Sequence, residues 1–126
     1  MAREAVATKK APAAIGPYSQ GVAAGGLVFV SGQIPLKADG SSVSGSVAEQ
    51  TEQCLANLRE VLSAAGLDLS AVAKTTVFMT DLGRFAEMNE VYARHFSAPF
   101  PARAAVQVAA LPKGAGVEIE AVAVRP

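Results

Sequence analysis

Pro101-Ala-Arg-Ala-Ala-Val-Gln-Val108, followed after a break by Val117-Glu-Ile-Glu-Ala121, is the stretch on which the reading of the fold turns. Residues of β propensity and alanines flank Leu111-Pro-Lys-Gly-Ala-Gly116, whose proline and glycines cannot continue a ladder. Segment 101–121 therefore reads as two strands joined by a turn. Strand side chains alternate between faces, which groups Arg103, Ala105 and Gln107 on one face and Ala104, Val106 and Val108 on the other. On the second strand Glu118 and Glu120 share a face, while Val117, Ile119 and Ala121 fill the opposite one. This reading sets a guanidinium and two carboxylates on neighbouring strands in apolar surroundings. They need water, one another or a ligand, because an unpaired buried charge is costly.

Working back from that stretch, Ala98-Pro-Phe-Pro101 ends a helix predicted from Asp81, its N-cap, to about Phe96. Leu82, Phe85, Met88, Tyr92 and Phe96 form its apolar side, and Asn89 sits four residues after Phe85 and three before Tyr92, on or beside that side. His95 falls near the helix C-terminus, where a cation is favoured, and reads as a solvated or capping residue. Val72–Thr80 is β-branched and apolar enough for a central strand. Before it, Ser46 and Glu49 make a capping box, and Thr51, Cys54, Leu55, Leu58, Val61, Leu62 and Ala65 recur at helical spacing until Gly66. That pattern predicts a helix from about Val47 to Ala65. Cys54 lies within its apolar stripe and reads as a small buried hydrophobe.

Nearer the start, Gly25-Gly26 between Gly21–Ala24 and Leu27–Ile34 is a tight-hairpin signal, and Glu4–Ala7 is a candidate first strand. The loop between them holds Ile15-Gly-Pro-Tyr-Ser-Gln20, with Tyr18 its large aromatic. The resulting order is strands, helix, strand, helix, strand pair. Both helices have one apolar face and the strands are largely apolar on two, which predicts an α+β sheet with both helices on one side. Nothing in one chain covers the second side, so self-association is expected, with grooves between subunits as natural ligand sites.

Composition bounds the function. A chain of 126 residues fits one domain, 1–126. Lys plus Arg equals Asp plus Glu at 11 each, and no basic stripe interleaved with aromatics is present, which weighs against nucleic acid. The apolar share of 51% and mean hydropathy of +0.30 are high for a small monomer and again point to surface buried between subunits. One cysteine and one histidine give neither a disulfide nor a zinc set. Residues 1–10 lack an apolar signal region and no run reaches membrane-spanning length, so a reducing cytoplasm is expected. Phosphate-binding glycine loops and serine nucleophile elbows are absent. What remains as chemistry is Tyr18, Ser31, Asn89, Arg103, Glu118 and Glu120, a set suited to binding a small anion and positioning water. Read alone, an Arg and a Glu on adjacent strands are more often an ordinary ion pair than a ligand site.

Several fragments then fall in a recognisable order: Ala11-Pro-Ala-Ala-Ile-Gly-Pro-Tyr18, Ser31-Gly-Gln-Ile-Pro35, Lys74-Thr-Thr-Val-Phe78, Asp81-Leu82, Asn89, Phe100-Pro-Ala-Arg103, Leu111-Pro112 and Val117-Glu-Ile-Glu-Ala121. In them the chain resembles the Rid (reactive intermediate deaminase, YjgF) family, in its enamine/imine deaminase branch. The resemblance implies a chorismate-mutase-like two-layer α+β subunit, a mixed sheet with two helices on one face, assembled as a homotrimer with active sites between subunits. It implies hydrolysis of 2-aminoacrylate and 2-iminobutanoate, released by pyridoxal-phosphate dehydratases, to 2-oxo acids and ammonia, with no cofactor and no metal. By the same resemblance Arg103 binds the substrate carboxylate, Glu118 holds water, and Tyr18, Ser31 and Asn89 line the pocket. Backbone N–H groups near Gly32 and Ala105 would hold further oxygens. Ala105 replaces a cysteine common among relatives, which removes a thiol from the site. Endoribonuclease or translation-inhibitor activity, and a non-catalytic or chaperone-like ligand-binding trimer, are the alternatives.

Overall fold

Gly25, in the left-handed conformation at φ 57, turns strand β2 (Gly21–Ala24) back along β3 (Leu27–Gln33), as the Gly-Gly signal predicts. The computed structural model describes residues 2–126. Strand β1 (Arg3–Val6) adds antiparallel to β2, with Val6 opposite Gly21. After a polar loop, Ser46 and Glu49 cap α1 (Val47–Ala64) reciprocally, and Gly66 at φ 78 takes the chain out of it. Strand β4 (Val72–Met79) follows, then α2 (Phe85–His95), β5 (Ala102–Gln107) and β6 (Val117–Val124).

The second helix starts later than its sequence pattern implies. Asp81 accepts from Gly83 N–H and caps a separate 3-10 turn, Leu82–Arg84, before α2 begins at Phe85. A short acidic side chain serves that tight turn as readily as an α-helix start, so the cap signal does not separate the two.

The larger correction concerns segment 101–121, which is not a hairpin. The sheet order is β1-β2-β3-β6-β4-β5, so β4 stands between β5 and β6. β5 pairs parallel with β4, as a β4–α2–β5 crossover requires, and β6 inserts antiparallel between β3 and β4. Composition explains the difference. β6 buries Val117, Ile119, Ala121 and Ala123 almost completely, as a central strand should, whereas the alanine-rich β5 has no fully buried residue and lies at the edge. The connection 108–116 is long enough to carry the chain past β4.

Both helices lie on one face, as expected. Leu55, Leu58, Val61 and Leu62 of α1 and Met88, Val91 and Tyr92 of α2 pack with Val28, Val77, Met79, Val117 and Ile119 of the sheet. Each such side chain contributes roughly 1.5–3 kcal/mol through burial. Cys54 is fully buried within this layer, and burial, reinforced by the Glu118 charge, pushes its thiol pKa far above the usual range. The opposite face is uncovered: Leu27, Phe29, Val106 and Val124 are 39–50% exposed. No helix among the described residues is long and apolar enough to cross a membrane.

Candidate active site

The strand order divides the candidate residues into two groups. Thr75 is paired with Arg103 on one side and Ala121 on the other, and all three belong to the helix-facing side of the sheet. Three residues along β4, Phe78 is paired with Glu118 and Val106, on the uncovered side. Arg103 and Glu118 are therefore on non-adjacent strands and opposite faces. The ion pair between neighbours that the sequence left open does not form in the chain.

The first group gathers at a β-bulge. Pairing of β3 with β6 runs regularly to Val30↔Ala121 and resumes at Gln33↔Ile119, so Ser31 and Gly32 occupy an extra-residue kink. The kink has a direct consequence for Glu118. A Cβ placed on Gly32 would lie 2.0 Å from Glu118 Oε2, so the carboxylate rests in space that only glycine leaves free. Glu118 is half-buried, and desolvation, with the Glu120 charge beside it, raises its pKa above the usual carboxylate value.

Ser31 Oγ donates to Ser19 O at 2.6 Å, tying the bulge to the loop that carries Tyr18. Tyr18 is 54% exposed and, with Gly32, Ile15, Ile34, Leu36 and Lys113, borders a groove of about 360 Å³. A larger groove of about 520 Å³ runs along β1 and the 13–20 loop. Tyr18 borders that one too, but none of the other candidate residues reaches it.

The second group is built on α2 and β5. Phe85, Asn89 and Tyr92, at i, i+4 and i+7, present one stripe toward the edge strand. Arg103 Nη1 donates to Asn89 Oδ1 at 2.7 Å. Its guanidinium carbon lies 4.7 Å from the Tyr92 ring centroid and 5.2 Å from that of Phe85, within cation–π range of both. Tyr92 is itself fixed: its hydroxyl and Thr75 Oγ1, both in the buried core, share a hydrogen bond of 2.8 Å. Ala105 follows Arg103 on the same face, half-buried against the core.

Tyr18, Ser31, Gly32 and Glu118 are thus gathered in one region, and Asn89, Arg103 and Ala105 in another. Glu120 is exposed on the uncovered face beside Glu118, paired across the ladder with Thr76. His95 is not a solvated cap. Arg59 donates to its Nδ1 at 2.9 Å, leaving Nε2 to donate to Glu52 at 3.1 Å, so it links α2 to α1.

Sequence reasoning missed two supports of these groups. Buried Gln20 donates to the carbonyls of Thr8, Ala11 and Pro12 and accepts from Thr8 N–H, pinning the loop ahead of Tyr18. A polar residue opening an apolar strand was the available signal. The helical spacing of Phe85 and Tyr92 reads as core packing alone. The position of Asn89 between them on one stripe is what marks them as more than packing. Among the described residues, no three His, Cys, Asp or Glu side chains converge as a metal would need.

Comparison with known proteins gives this arrangement a family. The family model described as Endoribonuclease L-PSP matches residues 8–125. The RutC family protein y4sK of Sinorhizobium fredii is 57% identical over 120 residues, covering 94% of this chain and 95% of that protein. The human protein named 2-iminobutanoate/2-iminopropanoate deaminase is 52% identical over 124 residues, covering 98% of this chain and 90% of that one. The crystal structure of yeast Mmf1 superimposes with a TM-score of 0.96 at 42% identity, over 99% of this chain and 100% of that chain.

Proposed function

Because the chain belongs to the Endoribonuclease L-PSP family, the YjgF/Rid family, we propose that it hydrolyses reactive 2-imino acids, and their enamine tautomers, to 2-oxo acids and ammonia. 2-Iminobutanoate and 2-aminoacrylate, the latter reacting as its imine 2-iminopropanoate, are the substrates, supplied in the cytoplasm by pyridoxal-phosphate dehydratases. The observation that carries the reading is the Glu118 carboxylate, its pKa raised by desolvation, seated on Gly32, a residue that itself borders the groove beside Tyr18.

The reaction asks for two things of the protein. The substrate carboxylate must be held so that the imine carbon faces water, and Arg103 supplies a planar fork whose N–H groups beyond the Asn89 bond donate to a carboxylate in two places. Asn89 keeps its Nδ2 donors for a substrate oxygen. A water must also be aimed and deprotonated. Glu118 takes a proton as the water oxygen bonds to the imine carbon and the C=N electron pair moves to nitrogen. That proton passes to nitrogen to give the carbinolamine, Glu118 then relays the hydroxyl proton to the same nitrogen, and the C–N bond breaks to release ammonia as the carbonyl forms. The backbone N–H groups of Gly32 and Ala105 steady the oxygens, Ser31 holds the bulge, and Tyr18 closes the groove. Imines of this kind hydrolyse unaided, so orientation supplies most of the acceleration.

Arg103 and Glu118 face opposite sides of one sheet, so a complete pocket takes Arg103 from one subunit and Glu118 from the next. The uncovered apolar face, with Leu27, Phe29, Val106 and Val124, supports a homotrimer that supplies that neighbour. The test is a coupled assay in which a threonine dehydratase acting on serine generates 2-aminoacrylate in situ. Wild type speeds pyruvate formation above the spontaneous rate. Arg103→Ala, losing two charge-assisted hydrogen bonds, loses about 100-fold or more of that acceleration. Equal rates for wild type and variant, with the assembly intact, would overturn the deaminase in favour of a non-catalytic binding protein.

A further inference from the structure

Arginine on an edge strand normally samples many rotamers, yet the Arg103 guanidinium carbon lies over two aromatic rings and one of its N–H edges is bonded. Phe85 and Tyr92 lie within cation–π distance at 5.2 and 4.7 Å, Asn89 takes Nη1, and all three come from one stripe of α2. Below them Thr75 fixes the Tyr92 hydroxyl, and Tyr92 stacks against Phe96 with ring centroids 4.5 Å apart. Exposure rises steadily outward along this chain of contacts: Thr75 and Tyr92 are buried, Phe85 and Asn89 half-buried, Arg103 exposed.

We propose that Phe85, Asn89 and Tyr92 form a cradle that presets the plane of the Arg103 guanidinium for a ligand carboxylate, with Thr75 anchoring the cradle to the sheet. For its ligand this rests on the deaminase reading. These are positioning residues acting through Arg103, in addition to any direct contact Asn89 makes with substrate. The physical argument is one of preorganisation. Aromatic faces satisfy the weakly hydrated planar faces of the guanidinium while leaving its N–H edges polar. One edge is taken by Asn89, so the free donors point in a fixed direction and a carboxylate binds without first ordering a long side chain. Lysine has no planar face to stack and no fork, so the cradle selects arginine.

The decisive variant is Phe85→Leu, which removes one ring at a half-buried position and leaves the core in place. Two readouts are made on the full assembled protein. The first is ¹⁵N NMR of the Arg103 side chain without ligand, where a held guanidinium gives separate Nη signals and a free one gives an averaged signal. The second is calorimetric binding of 2-oxobutanoate, set beside KM and kcat from the coupled assay. Wild type is expected to show separate signals and Phe85→Leu an averaged one. In the variant, 2-oxobutanoate affinity falls and KM rises, each about 2- to 5-fold as for loss of one exposed cation–π contact, while kcat and melting temperature hold. Phe85→Tyr restores both readouts.

An averaged Arg103 signal in wild type overturns the cradle, whatever the enzyme does. So does a Phe85→Leu protein that binds and turns over as wild type while Arg103→Ala has lost both. Wild type that neither binds 2-oxobutanoate nor speeds imine hydrolysis sinks the deaminase reading instead, and separate Nη signals then support the cradle independently.

Discussion

Gly32→Ala tests the placement of Glu118 with one methyl group. The alanine Cβ would lie 2.0 Å from Glu118 Oε2, 2.9 Å from Cδ and 3.2 Å from Cγ, against 3.4 Å for ordinary contact. The oxygen must move by about 1.4 Å (3.4 − 2.0) to relieve the clash. A reacting group misplaced by about 1 Å costs roughly 10²-fold, or about 2.7 kcal/mol of transition-state stabilisation. The fold bears little of this. Gly32 is not among the glycines in the left-handed region, and the displaced atoms are the end of a half-buried side chain free to swing toward solvent. Loss of a glycine from the unfolded chain offsets part of any strain, by about 0.4–1 kcal/mol. The expected outcome is kcat/KM down about 100-fold in the dehydratase-coupled assay, with a melting temperature within a few degrees of wild type. Adding Gly32→Ala to Glu118→Gln should cost almost nothing further, because the methyl acts through that carboxylate. A Gly32→Ala enzyme retaining activity within threefold, or a double variant losing another hundredfold, would refute the reasoning.

Two further outcomes follow from the same geometry. Desolvation raises the Glu118 pKa, so between the unfolded value of 4.5 and the higher folded value the native chain holds a proton the unfolded chain has released, and stability falls as pH rises through that window. Glu118→Gln removes this penalty. It should melt above wild type at pH 7, the difference closing below the unfolded pKa, while hydrolysis drops about 10²- to 10⁴-fold. Wild-type activity should also fall on acidification at a higher pH than an ordinary carboxylate would give, and scanning calorimetry beside a pH–rate profile checks both. Separately, Phe29→Asp puts a charge on the uncovered sheet face at a residue 43% exposed in the chain. It should sediment as a folded monomer and lose hydrolysis. A trimer with normal rates would show that this face is not the subunit interface.

Local rules made much of the fold legible. The capping box at Ser46 and Glu49, the Gly25 turn and the alternation along β6 each depend on neighbours in sequence, and each stands in the structure. The pairing of β5 was not legible that way. Whether a strand pairs with its sequence neighbour or with one across the sheet is settled by which strand buries more apolar surface, and in segment 101–121 only the contrast between alanine-rich β5 and apolar β6 carried that information. Reading a hairpin there put Arg103 and Glu118 side by side, and that error concealed the division of the candidate site. The residues themselves were legible because charge is rare on these strands. Their supports were less so: Phe85 and Tyr92 resemble any apolar helix stripe until Arg103 is seen over their rings.

If each pocket joins Arg103 of one subunit to Glu118 of its neighbour, two inactive variants must rescue each other. An Arg103→Ala subunit keeps Glu118, and a Glu118→Gln subunit keeps Arg103. In a ring of identical interfaces a pocket is intact when the Arg103 side comes from the second variant and the Glu118 side from the first. Random assembly from equal amounts gives that pairing with probability one half times one half, so about a quarter of wild-type activity returns on co-assembly. The yield should follow the mixing ratio, peaking at equal amounts and vanishing toward either pure variant. A pocket built within one chain predicts no recovery at any ratio, because every pocket then carries one defect. Opposite placement across the sheet excludes that single-chain pocket unless β5 leaves the edge of β4, and the parallel register from Lys74↔Ala102 to Met79↔Gln107 would have to break for it to do so.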